Sequence, residues 1–351
     1  MAYTTIDDPT IFFNTITWSG VDGSDRALTG VGFQPDWVWS KARTDAYSHV
    51  LFDAVRGAGS NKELYSDLTQ SEGGTGSTAS NGFISSFDSD GFSTDNGSAN
   101  TNLYFNASGK TYVAWNWLAG GSASSNSDGS ITSSVSANTT AGFSIVSFTG
   151  TGSDATVGHG LNVAPDMVIV KSRDAVRNWG VYHRSLGGDD SLKLNLTDAT
   201  TTSLDCWNDL DPTSSVVHLG TTGGTNVSGE DAIMYCFHSV KGYSKFGSFT
   251  GTSGDEFIYT GFKPAFVLTK RTDGASSWYI WDNKRNPSNL CNKTLEPNNS
   301  NAEATSGAGL DFLSNGFVER SFLADAGREL IYIAFAESPF VNSNGVPNNA
   351  R

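Results

Sequence analysis

Acidic side chains are the residues of this sequence that could carry out hydrolytic chemistry. Hydrolysis of a glycosidic bond needs two carboxyl groups about 5 to 10 Å apart beside a sugar-binding groove. The candidate pairs are Asp88 with Asp90, Asp189 with Asp190, and Glu303 with Glu319. No motif selects one of these pairs, and acidic residues in turns are mostly solvated. The sequence therefore predicts no catalytic residues and no enzyme, with a capsule-degrading glycosidase kept as an alternative.

The histidines and cysteines are not spaced as metal ligands or as disulfide partners. The histidines are His49, His159, His183, His218 and His238, and the cysteines are Cys206, Cys236 and Cys291. No histidine pair has the spacing of a zinc site, and three distant cysteines give no disulfide framework. Cys236 lies in an apolar run, so we expect it in the core. The sequence predicts no metal and no cofactor.

The segment Asp88-Ser89-Asp90-Gly91 resembles the beginning of a calcium-binding loop. Such a loop carries a bidentate Glu at its twelfth position, where this sequence has Ala99. Asp-Gly is also typical of a tight hairpin turn. The prediction is a turn, and a weak calcium site that includes Asp95 stays open as an alternative.

Tryptophans alternate within predicted strands and could stack on sugar rings. They are Trp37, Trp39, Trp115, Trp117, Trp278 and Trp281. Aromatic rings flanked by Asp and Asn can hold a glycan by stacking and by hydrogen bonds at its edge. Large aromatic rings also dominate protein cores. These six are the candidate glycan-stacking residues, and a tryptophan-rich core is the competing interpretation.

Composition restricts the class of protein. The chain has 351 residues, of which 39 are Gly and only 17% are charged. Such a turn-rich, charge-poor chain with aromatic residues throughout excludes a coiled coil, a helical bundle and a disordered tail. The net charge of −14 disfavours nucleic acid and anionic membranes as partners. The first ten residues lack the pattern of a signal peptide, so we expect folding in a cytoplasm.

Three segments of the chain share an order of landmarks. Each begins with a Pro-led apolar strand that ends in Lys, and each closes with a second apolar strand. The Pro-led strands are 35–41, 165–171 and 264–270, and the closing strands are 112–117, 232–237 and 332–336. We expect the Lys at the end of each Pro-led strand, Lys41, Lys171 or Lys270, to mark the return of the chain to solvent.

Short strands separated by turn signals predict an all-β fold of tandem antiparallel β-sandwich units of the jelly-roll or concanavalin type. The predicted units are 1–121, 141–240 and 241–340. The segment 122–140 is rich in Gly, Ser, Asn and Thr, which is typical of a linker. We expect the tail, 341–351, to be an exchanged arm or a frayed end.

The motifs as a set resemble the repeat-containing, tail-fibre-like virion proteins of marine and freshwater bacteriophages. The resemblance rests on the three Pro-led strands, on 142–146 and 242–247, and on the close at 332–340 followed by Ala350-Arg351. It covers nearly the whole chain. It implies concanavalin- or SPRY-like β-sandwich units on a virus particle, and it implies no catalytic residues.

The expected function is that of a non-enzymatic bacteriophage structural protein in a tail fibre, an appendage or a capsid decoration. The expected location is the exterior of a virion assembled in the host cytoplasm. The expected partners are other copies of the chain, with a trimer as one form, other virion proteins and host-surface polysaccharide. A non-viral extracellular fibre subunit stays open as a further alternative.

Overall fold

The computed structural model describes residues 3–202, 206–320 and 326–349. Within these residues the chain is almost entirely β, with a 3-10 helix at Pro9–Ile11 and one short α-helix, α1, at Ser77–Asn81. Neighbouring strands of every sheet run antiparallel. The predicted all-β, antiparallel fold class is therefore confirmed.

The first unit contains eight strands in two sheets. They are β1 (Phe13–Ser19), β2 (Arg26–Thr29), β3 (Trp37–Ala42), β4 (Val50–Asp53), β5 (Leu64–Tyr65), β6 (Phe83–Asp88), β7 (Gly91–Asp95) and β8 (Thr111–Trp117). The larger sheet has the order β1-β8-β3-β4-β5, and the smaller has the order β2-β7-β6.

The second unit has ten strands. They are β9 (Ser124–Asn126), β10 (Ser133–Asn138), β11 (Phe143–Thr149), β12 (Ala155–Gly158), β13 (Met167–Ser172), β14 (Gly180–His183), β15 (Asp190–Lys193), β16 (Thr201–Thr202), β17 (Val216–Leu219) and β18 (Asp231–Phe237). The larger sheet has the order β16-β15-β14-β13-β18-β11-β10-β9, and β12 pairs with β17.

The third unit also has eight strands. They are β19 (Ser244–Thr250), β20 (Glu256–Tyr259), β21 (Phe262–Arg271), β22 (Trp278–Asp282), β23 (Cys291–Thr294), β24 (Ala304–Leu313), β25 (Gly316–Glu319) and β26 (Glu329–Pro339). One sheet has the order β19-β26-β21-β22, and the other has the order β20-β25-β24-β23.

The same four-strand order appears in the larger sheet of every unit: β1-β8-β3-β4, β11-β18-β13-β14 and β19-β26-β21-β22. The Pro-led strand is always paired with the closing strand in the same register. Trp37 lies opposite Trp117, Met167 opposite Phe237, and Phe266 opposite Phe335. This register gives each residue of one unit an equivalent position in the other two.

The three larger sheets pack against one another around one shared core. This core contains aromatic and aliphatic side chains from all three units, while smaller cores lie between the two sheets of each unit. Rings from different units are in direct contact: Trp37 and Tyr235 have centroids 4.5 Å apart, and Phe13 and Phe335 have centroids 4.9 Å apart. The units are thus arranged side by side around a common interior, whereas the sequence predicted a string of separate modules.

Backbone hydrogen bonds close the three units into a ring. The amide of Glu72 donates to the carbonyl of Arg173 at 2.8 Å, joining the first unit to the second. The amide of Thr200 donates to Thr272 at 2.8 Å, and the amide of Glu303 donates to Arg43 at 2.7 Å. These three bonds join each unit to the next, and the third unit back to the first.

The structure corrects the prediction that the segment 122–140 is a linker. It contains β9 and β10, and β10 pairs with β11 along the edge of the second unit's larger sheet. Val135 is only 6% exposed, since it points into the core between the second unit's sheets. The composition concealed this strand because its other side chains are small and polar.

The structure also corrects the prediction that the tail is an exchanged arm or a frayed end, as far as its described residues reach, up to 349. Val341 forms a bridge with Pro347, and the Asn348 side-chain amide donates to the carbonyl of Pro339 at 2.9 Å. The amide of Ser343 donates to the Asp7 carboxylate at 2.6 Å. The segment therefore folds back on the third unit and also contacts Asp7 near the beginning of the chain, while residues 350 and 351 lie outside the described residues.

The structure also corrects the expectation that the lysines at the ends of the Pro-led strands return to solvent. Lys41, Lys171 and Lys270 are fully buried. Each ammonium group donates to the carbonyl of the next residue, at 2.6 to 2.8 Å. Lys171 also donates to Thr69 of the first unit at 3.2 Å, and Lys270 to Thr197 of the second unit at 3.3 Å. Burial lowers the pKa of all three lysines to about 8.

Candidate functional site

The structure places all six candidate glycan-stacking tryptophans in the interior. Trp37, Trp39, Trp115, Trp117, Trp278 and Trp281 are each at most 2% exposed. Stacking on a sugar needs an exposed ring face, and none of these rings offers one. Five of them belong to the core that the three units share, and Trp281 lies in the third unit's own core. The competing interpretation, a tryptophan-rich core, describes these residues.

Several buried polar groups of this interior connect neighbouring units. Trp115 Nε1 donates to the Asp282 carboxylate of the third unit at 3.0 Å. Tyr235 of the second unit donates its hydroxyl to the Asp53 carboxylate of the first unit at 2.8 Å. Asp53 and Asp282 stand at equivalent register positions at the ends of β4 and β22. The two carboxylates therefore have the same structural role at two different seams between units.

Each of these carboxylates is part of a larger chain of charges. Asp53 pairs with Arg56 at 2.5 Å, Arg56 approaches Glu72 at 3.5 Å, and Glu72 pairs with Arg173 across the seam at 2.6 Å. The seam between the third and first units repeats this order. Its members are Asp282, Arg285, Glu303 and Arg43, paired at 2.5, 3.3 and 2.8 Å. Opposite charges thus alternate across both seams.

The third seam, between the second and third units, has uncharged residues in place of these groups. His183 takes the position of the aspartates, and Leu186 takes that of the paired arginines. Thr200 and Thr272 provide the backbone bond that Glu72 and Arg173 provide elsewhere. Removing one member of a buried ion pair leaves an uncompensated charge, so the members are kept or replaced as a set.

The acid pairs considered for glycosidase chemistry have identifiable structural partners. Glu303 belongs to the charged seam, and Glu319 is buried in β25 opposite Glu256. Asp90 accepts hydrogen bonds from the amides of Gly30 and Gly32. Asp88 accepts hydrogen bonds from the hydroxyls of Ser86 and Ser93. Asp190 accepts one from the hydroxyl of Thr202, and Asp189 is exposed. None of these acids lines the open cleft described below.

The carboxylates of the alternative calcium site already accept hydrogen bonds from other residues. Asp88 accepts hydrogen bonds within the β6–β7 hairpin, Asp90 accepts them from the loop that follows β2, and Asp95 accepts from the amide of Gly97 at 2.8 Å. Within residues 3–202, 206–320 and 326–349, no three His, Cys, Asp or Glu side chains are grouped to hold a metal ion.

Burial suppresses the chemistry of two of the histidines and one of the cysteines. Burial lowers the pKa of His183 to about 4 and that of His49 well below its usual range. Cys236 is buried in β18, as predicted, and burial raises the pKa of its thiol. No disulfide bond joins Cys206, Cys236 and Cys291.

An open cleft beside the third unit brings together exposed aromatic rings and lysines that sequence analysis did not single out. Its volume is about 500 Å³, and we call it the tyrosine cleft. It is lined by Tyr3, Ser239, Lys241, Ser244, Lys245, Phe246, Tyr259, Thr260 and Gly261. The hydroxyls of Tyr3 and Tyr259 are 3.2 Å apart, and Tyr259 is 47% exposed. These rings offer the exposed aromatic surface that the tryptophans lack.

The tyrosine cleft carries positive charge on a protein of net charge −14. Lys241 Nζ lies 4.4 Å from the centre of the Tyr3 ring, and Lys245 Nζ lies 5.4 Å from that of Tyr259. Lys245 also donates to the carbonyl of Tyr259 at 2.6 Å. Among the described residues, neither lysine is ion-paired. The attraction between a cation and an aromatic face holds both ammonium groups beside the rings of the cleft.

Sequence alone gave a weak signal for this cleft. Phe257-Ile258-Tyr259 alternates, so one face of β20 had to expose two rings. Tyr3 could not be linked to that strand, because it is 256 residues away in the chain.

No helix in the described part of the chain has the length and apolar character required to cross a lipid bilayer.

Comparison with known proteins gives a family and no described relative. Neither the curated proteins nor the solved structures contain a match to the chain. A family model matches residues 8–339, and this span includes all 26 strands, β1 to β26. The chain therefore belongs to the DUF7483 family, which is described as a domain of unknown function.

Proposed function

We propose that this protein is a non-enzymatic structural and attachment protein of a bacteriophage particle, and that its tyrosine cleft holds host-surface glycans. The particle assignment is supported by the resemblance of the Pro-led strands and the closing strands to tail-fibre-like virion proteins. Its place is a tail fibre, an appendage or a capsid decoration on the exterior of the particle.

The observation that carries the structural role is the ring of three units around one core. At two of the three seams, buried acids and arginines form ion pairs, and all three seams contain backbone hydrogen bonds. Such an arrangement makes the relative positions of the units rigid, because a displaced seam would expose unpaired buried charges. A rigid body that holds its shape outside the cell suits a component of a particle.

The attachment role is supported by the tyrosine cleft. Tyrosine rings can stack on the apolar face of a sugar. The lysines favour a polysaccharide that carries carboxylate or sulfate groups.

The particle assignment is tested on purified virus. Antibodies raised against the full chain should label the outside of intact particles in immunogold electron microscopy. The protein should also co-sediment with particles through a density gradient. Detection of the protein only in cell fractions that are free of particles would overturn the assignment.

The attachment role is tested with Tyr259→Ala against Phe257→Ala as a matched control. Both side chains belong to β20 and are 47% exposed, but only Tyr259 lines the cleft. We expect Tyr259→Ala to reduce binding to host polysaccharide about tenfold or more, by analogy with nucleic-acid bases, whose stacking on one aromatic ring contributes on the order of 1–3 kcal/mol. Phe257→Ala should bind like the wild type. Equal binding by both variants, or no binding by the wild type, would exclude the cleft as a glycan site.

A further inference from the structure

A second cavity lies at the seam between the first and third units. Its volume is about 260 Å³, and we call it the seam cavity. Its apolar wall is formed by Phe13, Ala265, Pro287 and Ala336, and its polar wall by Thr10, Asn14, Thr15, Asn283, Lys284 and Glu337. It shares no residue with the tyrosine cleft and is therefore a site independent of the proposed function.

The seam cavity exists because one buried carboxylate is missing from the third unit. Ala265 follows the proline of its Pro-led strand, where the other units have Asp36 and Asp166. The Asp36 carboxylate accepts from the amide of Ala119 at 2.8 Å, and that of Asp166 accepts from the amide of Ser239 at 2.6 Å. Ala265 keeps the equivalent backbone bond, from Asn283, but has no side chain to fill this space.

Two further positions change at the same seam. Thr15 stands in the register position that Ile145 occupies in the second unit and Phe246 in the third. Asn283 stands where the other units have Ala54 and Arg184. A large apolar side chain is therefore replaced by a hydroxyl, and an amide is added beside it. These changes give the cavity both its volume and its polar lining.

The polar lining is incompletely satisfied. Thr15 and Asn283 are 3% and 7% exposed, and within the described residues Thr15 Oγ1 and Asn283 Oδ1 have no hydrogen-bond partner. The Asn283 amide nitrogen donates to Glu337 at 2.6 Å, which leaves Oδ1 directed to accept. Buried polar atoms are nearly always hydrogen-bonded, so two of them on one cavity indicate a partner that donates.

The charges around the cavity favour an uncharged partner. Glu337 and Lys284 are the charged groups of the lining, one of each sign, and Lys263 pairs with Glu337 at 2.8 Å. An anionic ligand would place its oxygens against Glu337 and against the acceptor of Asn283. A cationic ligand would place its charge beside Lys284, while Glu337 is already paired with Lys263. Hydroxyl groups can donate to Asn283 and can both donate to and accept from Thr15.

We infer that the seam cavity binds a neutral, hydroxyl-rich molecule the size of a single sugar ring. Its hydroxyl groups would donate to Asn283 Oδ1 and exchange hydrogen bonds with Thr15 Oγ1. Its C–H face would lie on the apolar wall formed by Phe13, Ala265 and Ala336.

The test is calorimetric titration and saturation-transfer NMR on the full chain. The neutral probes are glucose, galactose and mannose, and the charged comparators are glucuronate and glucosamine. We expect saturable binding of at least one neutral probe, and binding at least tenfold weaker for its charged counterparts. No saturable binding of a neutral probe, or tighter binding of a charged one, would overturn the inference.

Two variants locate the bound sugar. Ala265→Asp with Glu337→Ser reproduces the second unit's residues, Asp166 and Ser239, and should abolish binding by filling the cavity. Thr15→Val keeps the side chain's shape, removes its hydroxyl and should weaken binding at least threefold. It serves as the second measurement if the double variant does not fold by circular dichroism. Binding that survives in a folded seam variant but disappears in Tyr259→Ala would place the sugar in the tyrosine cleft and overturn the seam site.

Discussion

At the scale of single residues, the buried ions are present or absent together. Asp53 and Asp282 are each accompanied by an arginine three residues later, and both arginine side chains are fully buried. The second unit has His183 and Leu186 in these positions, so both the aspartate and the arginine are replaced there. This pattern follows from the large desolvation cost of an isolated buried charge.

Removal of one buried arginine should therefore be more damaging than removal of the whole pair. We expect Arg285→Leu to lower the free energy of unfolding by about 3–5 kcal/mol, because Asp282 loses its charge partner in the interior. Asp282→His with Arg285→Leu reproduces the residues of the second unit and should recover about 1 kcal/mol or more of that loss. Urea unfolding of both variants is the measurement. A double variant less stable than Arg285→Leu would show that the two residues are not coupled in this way.

His183 gives the protein a dependence of stability on pH. Burial lowers its folded pKa to about 4, whereas an unfolded histidine titrates near its ordinary value of 6.5. Between these values the unfolded chain binds the additional proton, so stability falls as pH decreases from about 6.5 to about 4. Asp67, whose pKa burial raises to about 6, has the opposite effect in part of this range.

The His183 contribution is isolated by comparing the wild type with His183→Gln. We expect the variant to lose less stability between pH 6.5 and pH 4, because one proton uptake on unfolding has been removed. Urea unfolding at several pH values measures the difference in slope. Parallel pH profiles for the two proteins would mean that His183 is not kept neutral by the fold.

At the scale of secondary-structure elements, β10 is a strand whose sequence resembles a linker. Its contribution is tested by Val135→Ala, which removes two methyl groups from the second unit's core. We expect a loss of about 1–2 kcal/mol from the lost burial and the cavity that remains. Ser125→Ala on exposed β9 is the control, and it should change stability by less than about 0.5 kcal/mol. Equal effects of the two substitutions in thermal unfolding would indicate that β10 does not depend on its core contact.

The strands with strong apolar patterns could be predicted from sequence, and those with local polar composition could not. The Pro-led and closing strands are largely apolar and almost entirely buried because both faces are covered, one by their own unit and one by the shared core. β10 contains Val135 among serines, so its own composition does not indicate that it pairs with β11.

The buried lysines show a similar limit. A Lys at the end of a strand normally returns to solvent, but Lys171 and Lys270 end against the neighbouring unit, whose carbonyl groups accept from them. No local pattern could reveal those acceptors. The tyrosine cleft was missed for the same reason, since it joins the third residue of the chain to β20.

At the scale of the whole molecule, the shared core makes the three units dependent on one another. Trp37 of the first unit contacts Tyr235, Phe143 and Phe237 of the second, and Trp117 contacts Phe266 and Phe335 of the third. Separation of one unit would expose this aromatic surface and break two seams. The ring also means that one chain already has three equivalent units around a centre before any assembly with other copies.

The most direct test of this arrangement is differential scanning calorimetry of the full chain and of Trp37→Ala. We predict one unfolding transition whose calorimetric and van't Hoff enthalpies agree. Trp37→Ala should shift that whole transition to lower temperature, because truncation of a buried Trp costs about 3–5 kcal/mol. Three separable transitions, or a Trp37→Ala profile in which only the first unit's transition moves, would contradict the claim that the units share one core.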